Sequence, residues 1–111
     1  GNKVEDFGVG FFTKYGDGGV DLSPIADLTK SEVRSLSKEL GISDKILKSS
    51  PSDGLWDDDR TDEQQLGLTY EELEDAMSNE DSIHREKYMN IRKKNIHKMK
   101  AIPVCIIKDK N

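Results

Sequence analysis

A chain of 111 residues with 33% hydrophobic and 35% charged positions is long enough for one domain but thin in core-forming material, since ordering each residue costs roughly 1–2 kcal/mol. No run approaches the ~20 apolar residues of a membrane span, the polar start does not read as a secretory signal, and the lone Cys105 rules out an internal disulfide framework, so a reducing, cytoplasmic setting is expected. The net charge of -5 is split, acids crowding from Asp53 to Asp81 and bases from Arg85 to Lys110, two blocks able to attract each other or opposite charges.

Residues 4–15 mix apolar and aromatic side chains with Gly8 and Gly10, a pattern that fits a loop or a short helix. After "GDGG", Val20, Leu22 and Ile25 form a short apolar stretch stopped by Pro24, consistent with one brief edge strand. Thr29 and Glu32 form a capping box ahead of Val33, Leu36 and Leu40 at helical spacing, and Gly41 supplies the stop. A shorter helix is expected over 44–48. "SSPSDGLWDDDRTDE", residues 49–63, reads as a long loop, of a length that signals either function or disorder. Helical signals resume at Thr61 and at Thr69, which has Glu72 at the capping-box position, and a last helix is predicted from about Asp81 to Met99, ended by Pro103 before an apolar tail. The chain is therefore helix-dominated, with one or two short strands that need partners from elsewhere to make a sheet.

Few residues carry a chemical signal alone. Glycines around Asp17 permit positive φ and a close approach of main-chain N–H groups to an anion, although a plain turn is the ready alternative, and neither a P-loop nor a dinucleotide GxGxxG is present. Lys14, Asp17 and Asp21 stand close enough in sequence to converge on one polar ligand or to form a solvated turn. Lys30, in the first turn of a helix, opposes the helix dipole, a conflict that a bound phosphate would resolve, although most such lysines simply point into water. Asp53, Asp57, Asp58 and Asp59 do not have EF-hand spacing, and His84 and Cys105 have no partners at zinc spacing. His97 and Lys98 lie at a helix C-terminus, which favours cations.

Joined in order, "GFFTKYGDGGVDLSPIADLTKSEVRSL", "PSDGLWDDDRTDEQQLGLTYEELEDAM" and "HK" before an apolar tail resemble the C-terminal half of an NAD synthetase, in the ATP pyrophosphatase group. The resemblance implies an α/β fold of the Rossmann-like adenine-nucleotide hydrolase type, of which residues 1–111 are the mostly helical C-terminal portion. It also implies a ligation: ATP adenylates the nicotinate carboxylate of deamido-NAD, releasing pyrophosphate, and ammonia then displaces AMP. By that resemblance Glu5 holds magnesium, Lys30 and Ser52 meet ATP, and Phe11, Lys14, Asp21, His97 and Lys98 contact deamido-NAD. Lys30 and Asp17 are the catalytic candidates, and 49–63 is a mobile loop that keeps water from the adenylate. Ser52 stands where many relatives have Thr, and one extra residue separates Glu5 from Phe11.

The SGGxDS phosphate loop of such enzymes is not in this sequence, and the opening Gly1-Asn2-Lys3 lacks an initiator Met. The expectation is a fragment, inactive by itself, of an ATP- and magnesium-using homodimer that takes deamido-NAD and ammonia and engages neither nucleic acid nor membrane. A non-catalytic interaction module and another amide ligase of the same group are the alternatives.

Overall fold

The computed structural model describes residues 1–52, 54, 58 and 60–109. Its elements are a π-helical turn, Lys3–Gly8, five α-helices and a closing 3₁₀ turn, Ile96–Met99. The α-helices are α1 (Lys30–Glu39), α2 (Asp44–Leu47), α3 (Asp62–Leu66), α4 (Tyr70–Ser78) and α5 (Arg85–Asn95).

Three helices start by the same device. Thr29, Thr61 and Thr69 each accept a hydrogen bond from the main-chain N–H three residues on, and Glu32, Gln64 and Glu72 reach back to the threonine N–H. This satisfies two donors that a helix start otherwise leaves open. The same capping bonds hold the Glu72 carboxyl below its ordinary value. Gly67, at φ 72°, ends α3 in the left-handed conformation.

The core is small. Val4 and Val9, at either end of the π turn, pack with Leu66, Leu68, Tyr70, Leu73, Ala76 and Tyr88, with Phe11, Met77 and Ile91 at the margin. Each fully buried aliphatic side chain contributes roughly 1.5–3 kcal/mol, so α3, α4, α5 and the π turn are held by mutual burial. By contrast α1 and α2 contain no buried residue. Ser31 fastens α1 to α4, its N–H and hydroxyl donating to the Glu74 carboxylate at 2.9 and 2.6 Å. Arg34 adds an ion pair to Glu71 at 3.8 Å.

Several expectations are corrected. No strand occurs among the described residues: 20–25 is bend and turn, with Val20 and Leu22 exposed. An apolar triplet becomes a strand only where another main chain pairs with it, and Lys3 N–H to Leu28 O, 2.7 Å, is the nearest such bond to this segment. The last helix starts at Arg85, because Ser82 caps the preceding turn, and its final turn is 3₁₀. Residues 49–63 are not loop throughout, since Thr61 opens α3 and Asp62 N–H is tied to Pro51 O at 2.9 Å. The GDGG glycines do not adopt positive φ. Their smallness serves packing instead: a Cβ on Gly18 would lie 2.6 Å from the Phe12 ring.

Candidate functional site

The π turn brings Glu5 to the edge of the core, where α3 and α4 supply its neighbours. Asn2 caps the turn, its side-chain oxygen accepting from Glu5 N–H at 3.1 Å while its amide donates to Glu5 Oε2 at 2.8 Å. The buried Tyr70 hydroxyl lies 3.2 Å from Glu5 Oε2 and 3.3 Å from Asp62 Oδ2. A phenol has one proton, so when it donates to one carboxylate the other carboxyl must carry a proton to bond the phenol oxygen. Electrostatics agree: burial first, then Asp62 and Asp6, push the Glu5 carboxyl up to about 7, against the opposing pull of the Tyr70 hydrogen bond and Lys30. Burial and the two carboxylates also raise the Tyr70 phenol, which stays protonated.

A cavity of about 470 Å³ opens beside this cluster, lined by Glu5, Phe11, Asp17, Ser52, Asp62 and Lys98 among others. Four separate stretches of chain thus meet at one hollow. A second cavity, about 500 Å³, is lined by Lys14, Tyr15, Asp17, Asp21 and Lys98. Phe12, Asp17 and Lys98 border both. Asp17 closes its own loop, its carboxylate accepting from Thr13 N–H at 2.6 Å. Lys14 Nζ donates to the main-chain carbonyls of His97, 3.3 Å, and Lys100, 2.5 Å, which binds the GDGG loop to the 3₁₀ turn. Lys98 Nζ lies 5.8 Å over the Phe12 ring.

Of the residues singled out in the sequence, Glu5, Phe11, Asp17, Ser52 and Lys98 meet at the first cavity, and Lys14 and Asp21 join Asp17 and Lys98 at the second. Lys30 lines neither, but sits 5.6 Å over the Tyr70 ring, close enough to act on Glu5. The His97 side chain is exposed and borders neither cavity. Ser52 hydroxyl donates to Arg60 O at 3.0 Å. Asp58 is paired with Arg60 at 2.7 Å, which lowers its carboxyl. Asp53, Trp56, Asp57 and Asp59 fall outside the described residues.

Sequence reasoning missed Asp62 and Tyr70 as partners of Glu5. The available signal was an acid in a helix first turn that is nonetheless 4% exposed, and burial is not readable from the letters. Among the described residues no three His, Cys, Asp or Glu side chains come together as a metal cage. One buried carboxyl, Asp62, beside a partly buried one, Glu5, fits a hard cation of the magnesium type, which takes one or two carboxylates and completes its shell with water and phosphate oxygens. Glu5 and Asp62 would hold it, and its charge would help neutralise a polyphosphate.

The family model described as NAD synthase matches residues 1–110. The chain belongs to the NAD synthase family. The NH(3)-dependent NAD(+) synthetase of Methanococcoides burtonii is 54% identical over 69% of this chain and 28% of its own length. That of Archaeoglobus fulgidus is 38% identical over 98% of this chain and 46% of its own length. A solved structure, the NMN synthetase of Francisella tularensis, superposes with a TM-score of 0.85 at 34% identity over 96% of this chain and 45% of that one. The chain thus spans less than half the length of these NAD synthase relatives. The fold of this chain is shared with that solved structure, and among the described residues no helix is long and apolar enough to cross a membrane.

Proposed function

We propose that this chain forms the substrate-facing C-terminal part of an ammonia-dependent NAD synthetase, a cytoplasmic homodimer that uses ATP and magnesium to convert deamido-NAD to NAD. The observation that carries the reading is the convergence of Glu5, Phe11, Asp17, Ser52 and Lys98 on one cavity, in a chain whose family match runs almost end to end. In this reading Glu5, oriented by Asn2 and Tyr70, holds the metal, and Lys30 and Ser52 meet the ATP phosphates. Phe11, Lys14, Asp21 and Lys98 face deamido-NAD, and His97, whose side chain borders neither cavity, contributes its main-chain carbonyl to Lys14. Lys30 is catalytic because it offsets charge on the departing pyrophosphate, and Asp17 because it borders both cavities, where the nucleotide and the dinucleotide meet.

The rival reading, an interaction module presenting a basic helix, is weakened by what that helix does with its cations. Arg85, Lys87, Arg92 and Lys98 each donate to main-chain carbonyls within this chain.

The test is a chimera in which residues 1–111 replace the matching segment of the Archaeoglobus enzyme. With ATP, magnesium and ammonium it is expected to turn deamido-NAD into NAD with one pyrophosphate released per turnover. Lys30→Ala should abolish pyrophosphate release without loss of fold, and Asp21→Ala should raise the KM for deamido-NAD. A folded chimera without product, beside an active parent, overturns the proposal. The similarity to an NMN synthetase favours a mononucleotide as the second substrate to offer, and preferential formation of NMN would replace deamido-NAD in this reading.

A further inference from the structure

One face of the C-terminal helical stretch is occupied by main-chain carbonyls of the π turn. Arg92, Asn95 and Lys98 recur every third residue and form a row. Their acceptors are consecutive: Arg92 Nη1 donates to Phe7 O and to Gly8 O at 2.8 Å, Asn95 Nδ2 to Val9 O at 3.1 Å, and Lys98 Nζ to Gly10 O at 3.0 Å. Asn95 also donates to Ile91 O at 3.0 Å, which fixes its side chain against its own helix.

The seam is too tight for a side chain at Gly8 or Gly10. Gly10 has φ 70°, and a Cβ there would lie 2.6 Å from Asn95 Cβ; one on Gly8 would lie 3.0 Å from the Tyr88 hydroxyl. These glycines, which argue against a helix in the sequence, are where α5 touches the main chain. The run they bracket lies between Glu5 and Phe11, and Phe11 N–H returns to Glu5 O at 2.8 Å.

We propose that Arg92 and Asn95 are positioning residues that set the register of residues 7–10 and thereby hold Phe11, Phe12 and Lys14 in place for the dinucleotide. The proposal rests on the ligase reading above. Three donors reading four successive carbonyls fix both the position and the rotation of that run. A slip of one carbonyl would carry the aromatic pair with it, whereas Lys30 and Ser52 stand on other stretches and would not follow. Glu5 is held independently by Asn2 and Tyr70, so the effect falls chiefly on the deamido-NAD side of the pocket.

The chimera tests this with Asn95→Leu, Arg92→Met and, as rescue, Arg92→Lys. For both truncations the KM for deamido-NAD is expected to rise roughly tenfold or more while the KM for ATP and the thermal midpoint stay essentially unchanged, and Arg92→Lys should recover most of the loss. Hydrogen exchange, read independently of activity, should accelerate at the Val9 and Phe11 amides but not in α4. Unchanged deamido-NAD KM, or KM values for both substrates rising together with a fall in thermal midpoint, overturns the proposal. Should the unsubstituted chimera make no NAD, the ligase reading fails and exchange alone decides the row. Selective acceleration at Val9 and Phe11 supports it, and unchanged exchange sinks it. If Asn95→Leu does not fold, the Arg92 pair carries the same readouts.

Discussion

The π turn, with weak helical signals in the sequence, and α1, with strong ones, are stabilised in opposite ways. The π turn, only six residues long, has Val4 and the adjoining Val9 fully buried and is tied to α5 through its carbonyls. α1 has ten residues, a complete capping box and a sharp glycine stop, but its apolar residues Leu36 and Leu40 are 46% and 71% exposed. Local signals thus suffice to start and end a helix, while burial depends on what the rest of the molecule offers to cover it. The site follows the buried region. Glu5, Phe11 and Lys98 belong to it, whereas Lys30 stands at the junction, on α1 but over the ring of Tyr70.

The sharpest way to break this contrast is Leu73→Ala, at the fully buried centre of the core, which should cost about 2–5 kcal/mol in denaturant unfolding. A smaller effect, about 1–3 kcal/mol, is expected for Gly10→Ala, because the new methyl meets Asn95 and the backbone holds positive φ there.

Acidity offers a third test. The Glu5 carboxyl titrates at about 7 in the fold against an ordinary 4.5. Below about 4.5 it is protonated in both states; as pH rises to about 7 only the unfolded chain ionises, so stability is lost across that window and stays low above it. Glu5→Gln should remove that slope from a series of urea midpoints, and an unchanged slope would mean that Glu5 does not share its proton with Asp62 and Tyr70.

Next in size, Thr69→Ala should cost about 1 kcal/mol globally. Thr29→Ala, which loses the same bonds, should fray α1 in circular dichroism with little change in the global midpoint. Last, Leu40→Ala should stay within about 0.5 kcal/mol, and a larger loss would show that the α1 face is covered after all.

The letters themselves determined the helix starts at Thr29, Thr61 and Thr69 and the stop at Gly41, because capping is chemistry among residues within four positions of each other. They also determined the family, through the order of FTKYGDGG, LTK and TDE, and with it Glu5, Phe11, Lys14, Asp17, Asp21, Ser52 and Lys98 among the residues that border the two cavities. What only the tertiary structure decided is whatever depends on contacts between distant segments. The apolar triplet at 20–25 did not become a strand because, among the described residues, no other segment pairs its main chain with it. Gly8 and Gly10 are seats for α5, and Lys14 and Lys98 hold carbonyls more than eighty residues away in sequence. Asp62 and Tyr70 belong with Glu5 because burial places two carboxyls and one phenol proton together, and a shared proton is a property of distance and dielectric rather than of residue type.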